Sequence, residues 1–210
     1  MLTNILYPVV HRKSYGLSRL PWLKVAMLHS LGTVLSAAAV GGSLGVLAWG
    51  VGRLAPQPSR WAYWSAIFVA LLYLPRQLGW TRFPPFLQST RQVPRRWAYS
   101  YPRWAAAFLF GLGLGSGLYT RIVVPTFYLL FVWPFLTAGF LWPAVIWSMY
   151  GLARSLHVWW LAWTAPLEDP LLHAHRLTFT LIDKASWMHR ANVVLLVVIV
   201  VWLAVWEALV

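Results

Sequence analysis

The sequence predicts an all-α fold, a polytopic transmembrane helical bundle of five or six spans in which some helices are broken or re-entrant. Three observations favour this fold class. Of the 210 residues, 60% are hydrophobic and only 10% are charged, with a mean hydropathy of +0.63, whereas soluble domains carry about 25% charged residues. Residues 104–135 are apolar yet interrupted by glycines, an arginine and a proline. Residues 191–209 form an almost purely apolar run, typical of a membrane helix.

Two ranges define the predicted domain organisation. Residues 1–22 form a cytoplasmic or interfacial N-terminal segment, and residues 23–210 form a single transmembrane domain. The predicted spans cover about residues 23–51, 61–75, 104–135 (broken), 140–156 and 191–209. A basic loop, 76–103, and an amphipathic interfacial region, 157–190, connect these spans.

Each span has its own signature. The first is longer than the ~30 Å hydrocarbon core requires, so we expect it to tilt or to bend at Gly41–Gly42. Pro75 is expected to end or kink the second span. Residues 76–103 hold six arginines and several prolines, and no span fits inside them. If residues 104–135 turn back instead of crossing, the bundle has six spans instead of five.

The charge distribution predicts the orientation and the partners. The net charge is +13, and most basic residues fall on one side of a five-span arrangement, which places the N-terminus in the cytoplasm by the positive-inside rule. A bacterial plasma (inner) membrane is the expected location. The expected partners are anionic lipid headgroups and other membrane proteins. No nucleic-acid module is recognisable, and the absence of cysteine excludes disulfides and thiol chemistry.

The central stretch is the predicted ligand site. Glycines at alternate positions end at Gly117 and are followed by Thr120, Arg121 and Pro125. An arginine at membrane depth must be shielded, and a broken helix could make it an anion-attracting, substrate-binding centre. Two simpler interpretations remain open. The glycines can serve helix packing alone, and Arg121 can lie at the membrane interface.

Histidines supply a second candidate site. His29 lies in the first span and His157 follows the fourth, and imidazoles of this kind can bind haem or chlorophyll; interfacial hydrogen bonding is the alternative. His173 and His175 do not share a helical face, so no metal site is predicted. No catalytic carboxylate pair, Ser/His/Asp set or phosphate loop is recognisable, and the sequence therefore does not indicate an enzyme.

The segment FLFGLGLGSGLYTRIVVP, residues Phe108–Pro125, resembles the second-half signature of the CcdA/DsbD transmembrane family. Thr120 and Pro125 fall on the threonine and last proline of that signature, while Arg121 and Ile122 replace its first proline and redox cysteine. The resemblance implies two broken helices around a central cavity. It does not imply the family's redox activity, because both cysteines are absent.

Two functions follow as hypotheses. The first is a cysteine-less relative of that scaffold, acting as a transporter-like or accessory membrane protein with an anion-attracting site at the central bend. The second is a structural subunit of a larger membrane complex that holds haem or chlorophyll through a histidine. An absorption spectrum would separate them, because a bound tetrapyrrole gives visible bands.

Overall fold

The protein is all-α in the part of the chain that the computed structural model describes, namely residues 20–54, 58–80, 94, 96–117, 126–137, 139, 141–164 and 185–209. Every regular element within these ranges is a helix. The helices are α1 (Leu20–Leu54), α2 (Pro58–Gln77), α3 (Trp97–Ser100), α4 (Arg103–Gly115), α5 (Thr126–Thr137), α6 (Leu141–Thr164) and α7 (Ala185–Leu209).

One described helix meets the length and hydropathy expected of a membrane span. It is the apolar stretch Trp22–Leu54 of α1. Helix α1 remains helical through Gly41 and Gly42, where the sequence suggested a bend. The other apolar helical stretches in the described ranges are shorter by the same measure.

The central stretch contains two helices. Helix α4 ends at Gly115 and α5 begins at Thr126. Both overlap the predicted broken span, 104–135, and residues 118–125 lie outside the described ranges. Helix α6 continues to Thr164, past the predicted end at residue 156. Most of the predicted amphipathic region, residues 165–184, is also outside the described ranges.

Glycines with positive φ follow two of the helices. Gly117 has φ 73°, and its N–H donates to the Leu114 carbonyl, 3.3 Å away. This left-handed position after a helix suits glycine because any Cβ there is strained. Gly79, with φ 80°, follows α2 in the same way. Pro75, the predicted end or kink of the second span, lies inside α2, and the helix continues to Gln77.

The contacts divide the chain into two compact units. Among the described residues, the first unit contains residues 20–40 of α1, helices α3 and α4, and residues 146–164 of α6. The second unit contains residues 41–54 of α1, helices α2, α5 and α7, and residues 141–145.

The first unit is built on backbone-to-backbone contact around Thr33. A Cβ added at Gly111 would overlap the His29 carbonyl oxygen, and one added at Gly115 would overlap the Thr33 carbonyl oxygen. On α6, a Cβ at Gly151 would lie 2.8 Å from the same Thr33 oxygen. Such close approach needs residues without side chains. Glycine therefore allows α4 and α6 to pack directly on α1.

The second unit has an apolar core between α2, α5 and α7. Its buried residues are Ala66, Ile67, Ala70, Leu129, Leu196 and Leu203. Tyr73 stacks on Tyr128 with ring centroids 4.9 Å apart. The hydroxyl of Thr126 donates to the buried Asn192 side-chain oxygen of α7 at 2.9 Å, while the amide nitrogen of the same side chain has no hydrogen-bond partner.

Candidate functional site

A buried histidine marks the polar centre of the first unit. His29 is only 3% exposed, and its Nδ1 lies 3.3 Å from the Ala107 carbonyl oxygen of α4. Because a carbonyl only accepts hydrogen bonds, Nδ1 carries the proton. The opposite nitrogen, Nε2, is buried and has no hydrogen-bond partner. This imidazole is thus oriented by one helix and leaves a lone pair directed into the interior.

Neighbouring hydroxyls fix the backbone and the ring environment of His29. Thr33 Oγ1 donates to the His29 carbonyl oxygen at 2.8 Å. One residue along, Ser30 Oγ accepts a 2.7 Å hydrogen bond from the Trp159 indole of α6. The turn that carries His29 is therefore held by both α4 and α6.

Helix α6, whose Trp159 hydrogen-bonds to Ser30 of α1, also carries Arg154 and His157. The charge of Arg154 acts on both the His29 ring and the His157 ring, and the two rings also act on each other electrostatically. Arg154 also donates to the Tyr150 hydroxyl at 2.6 Å and lies over the Tyr150 ring, 5.5 Å from its centroid. We refer to His29, Arg154 and His157 as the histidine cluster.

His29 and His157, the two residues of the second predicted site, lie on α1 and α6 within the first unit. Of the first predicted site, Gly117 follows the end of α4, while Thr120, Arg121 and Pro125 lie outside the described residues. Sequence reasoning missed Tyr150 and Arg154. Their four-residue separation, with His157 three residues further on, places the three side chains near one face of a helix, and this spacing could have revealed them.

Comparison with known proteins gives one group of relatives. The chain is 28% identical over 139 residues to the methylamine utilization protein MauF of Paracoccus versutus, a match that covers 66% of this chain and 50% of the relative. It is 29% identical over 139 residues to MauF of Paracoccus denitrificans, covering 65% and 48%. The chain is similar to MauF. It spans about half the length of these relatives.

A third relative agrees with these two. MauF of Methylophilus methylotrophus is 24% identical over 137 residues, covering 65% of this chain and 47% of the relative. No family model matches the chain, and no solved structure matches it significantly.

These relatives correct the predicted family. The assignment to a CcdA/DsbD-like family is wrong, because the matching proteins are MauF and no family model supports it. The physical reason lies in the glycines that carried the resemblance. Gly111 and Gly115 pack against α1, and Gly117 adopts a left-handed turn. Both are general uses of glycine in helical proteins.

The predicted functions are wrong as well. The relatives are named for methylamine utilization, which contradicts a transporter-like or accessory membrane protein with an anion-attracting bend. The alternative, a structural subunit of a membrane complex that binds haem or chlorophyll, finds no support in these names either.

Proposed function

We propose that this chain takes part in methylamine utilization and does so from within a membrane. The role in methylamine utilization rests on the similarity to three proteins that are named for it, each across about two thirds of this chain. The matched length exceeds any single helix of the structure. It therefore reflects more than the apolar composition of one span.

Growth tests the role in methylamine utilization. Deletion of the gene that encodes this chain is expected to abolish or strongly slow growth of its host with methylamine as the sole nitrogen source. Growth on ammonium is the control and should be unchanged, and a plasmid copy of the intact gene should restore growth on methylamine. Equal growth of the deletion strain and its parent on methylamine would refute the role.

The surface of α6 supports the membrane location. One stripe along this helix consists of exposed, large apolar residues at helical spacing: Trp142, Val145, Met149, Leu152, Leu156, Trp160 and Trp163. At about 1.5 Å per residue the stripe is ~32 Å long, close to the ~30 Å hydrocarbon core of a bilayer. Tryptophans stand at both ends, as in the interfacial belts of membrane helices.

Helix α7 offers the same kind of surface. Its exposed apolar residues include Val194, Leu195, Val198, Val201 and Val205. In water, apolar surface of this extent is unfavourable by about 25 cal/mol for each Å², whereas lipid tails remove that cost. With α1, these helices support a polytopic bundle. We place its N-terminus on the cytoplasmic side of a bacterial plasma membrane, with anionic lipid headgroups as partners of the basic chain.

Two matched arginine substitutions test this location. Leu152 lies near the middle of the α6 stripe and is 51% exposed, whereas Leu141 is the first residue of α6 and is 63% exposed. Leu152→Arg is expected to reduce the protein retained in carbonate-washed membranes severely, because an arginine at the centre of a membrane helix costs about 2.5–3.5 kcal/mol. Leu141→Arg should be retained like the wild type, since an arginine near the interface can reach the headgroups.

The same two arginine variants would give a different result if α6 lay in water and not in a membrane. If α6 faced solvent, both arginines would be exposed and both variants would behave alike. Equal retention of the two variants, or release of the wild-type chain by carbonate, would therefore refute the membrane location.

A further inference from the structure

Three helix ends meet at one end of the second unit. Gln77 is the last residue of α2, and its Nε2 lies 2.7 Å from Nδ1 of His189, in the second turn of α7. One turn further along α7, the Asn192 side chain accepts a hydrogen bond from Thr126, the first residue of α5. The C-terminal end of α2 and the N-terminal ends of α5 and α7 therefore lie together.

The His189 ring presents a hydrogen-bond donor at this end. Because an amide nitrogen only donates, His189 Nδ1 accepts from Gln77 Nε2, and the ring proton lies on Nε2. The same Gln77 nitrogen is 3.5 Å from the His189 carbonyl oxygen, so one side chain holds both the ring and the backbone of this residue. The His189 side chain is exposed, and its Nε2–H can therefore reach a ligand.

The described charges beside this hydrogen bond are basic. Arg76 of α2 is half-buried and Arg190 of α7 is exposed, and each is the direct neighbour of one member of the bonded pair. Within the described helices α2 and α7, the one acidic residue is Glu207, near the far end of α7. Asp183 precedes α7 in the sequence, but Lys184 follows it directly. This end of the second unit is therefore suited to an anion.

A buried donor lies one helical turn deeper than His189. Asn192 is 5% exposed and its Nδ2 has no hydrogen-bond partner, although buried polar atoms are nearly always paired. Its Oδ1 is 2.9 Å from the Thr126 hydroxyl, so the same amide group lies beside the first turn of α5. The N–H groups of a first turn have no acceptor within their own helix. A ligand that satisfies these donors must carry acceptor oxygens.

We propose that this end of the second unit binds the phosphate group of an anionic phospholipid. Phosphate oxygens accept strong hydrogen bonds from guanidinium groups, and the N-terminal end of a helix favours an anion. Two exposed tryptophans favour a lipid over a free anion, because Trp80 follows α2 and Trp187 lies in the first turn of α7. Tryptophan is enriched at the level of the headgroups. The inference rests on the proposed membrane location and adds which lipid group is bound.

Lipid titration of the purified full-length chain in detergent micelles, followed by native mass spectrometry, tests the proposal. The wild type is expected to retain phosphatidylglycerol more strongly than phosphatidylcholine, whose choline group cancels the charge of the phosphate. Arg190→Gln should weaken the binding of phosphatidylglycerol by at least about 10-fold, as expected for the loss of a hydrogen bond to a charged group. Asn192→Leu, which removes the buried donor and keeps a similar side-chain size, should weaken it as well.

Arg53→Gln is the matched control, because it removes the same charge at another place. Arg53 is exposed and lies over the Trp49 ring, 4.1 Å from its centroid. It is close to the end of α1, where the chain leads into the start of α2, whereas Gln77 is at the opposite end of that helix. This variant should bind phosphatidylglycerol as the wild type does. Far-UV circular dichroism checks folding, and the exposed Arg190 keeps the test decisive if Asn192→Leu does not fold.

Three results would overturn the lipid site. They are equal binding by Arg190→Gln and Arg53→Gln, equal retention of the two lipids by the wild type, and displacement of phosphatidylglycerol by inorganic phosphate, which would show that a free anion occupies the site. Failure of the membrane location is distinguishable from these, since it appears as release of the wild-type chain by carbonate. A chain that stays in carbonate-washed membranes but gives any of the three results lacks the lipid site alone.

Discussion

Gly111→Ala is expected to destabilise the protein by at least about 3 kcal/mol, the upper part of the range for overpacking a core. The three atoms nearest to the added methyl group all belong to the backbone of α1, two in His29 and one in Thr33. Backbone atoms cannot rotate away as a side chain can. The methyl group can be accommodated only if α4 moves away from α1, which also breaks the hydrogen bond between His29 and Ala107. Thermal unfolding in detergent micelles, followed by circular dichroism, measures the loss.

Gly50→Ala is the matched control for this substitution. Gly50 also lies in a helix, but no atom would approach its added Cβ within 4 Å. Alanine in a helix interior is better than glycine by roughly 0.5–1 kcal/mol, so this variant should be equally or more stable. If both variants unfold at the wild-type temperature, α4 does not pack on α1 as closely as the structure indicates.

Trp147→Ala is expected to cost about 3–5 kcal/mol, the usual range for removing a buried tryptophan. Trp147 is 1% exposed, and its ring meets that of Tyr150 edge to face, with centroids 5.8 Å apart. Its removal leaves a large cavity beside the residue that accepts the Arg154 hydrogen bond. We therefore expect a lower unfolding temperature, measured by circular dichroism in detergent micelles.

Trp142→Ala is the control that shows whether the stability loss of Trp147→Ala comes from burial or from removing any tryptophan. Trp142 lies on the same helix and is 65% exposed, so its truncation removes few packing contacts. In detergent its unfolding temperature should stay near that of the wild type, since exposed substitutions usually change stability by no more than about 0.5 kcal/mol. Equal losses for the two tryptophans would show that Trp147 is not part of a packed core.

The all-α class could be predicted because it depends on composition and local pattern. A chain with 60% hydrophobic residues and long apolar runs has few alternatives to helices. Helix ends were less predictable. Pro75 was expected to end or kink the second span, yet α2 continues past it to Gln77 and Gly79 provides the left-handed turn. Proline and glycine both interrupt helices, and only the backbone angles show which one does so.

The family and function assigned from the central stretch failed for a related reason. Glycine-rich apolar segments look alike across unrelated membrane proteins because close helix packing needs the same residue everywhere. Gly111, Gly115 and Gly117 therefore carry information about packing and turns. They carry little about what the protein does, and only similarity over a much longer range pointed to methylamine utilization.

The sequence alone determined the helical class, because hydrophobicity and helix-forming patterns act between residues close along the chain. It also marked His29 and His157 as unusual polar residues within apolar stretches. Only the tertiary structure decided that Ala107 of α4 orients the His29 ring and that Trp159 of α6 hydrogen-bonds to the neighbouring Ser30. These relations depend on which helices pack together. That choice follows from the shape of glycine-lined surfaces around Thr33, which no local pattern encodes.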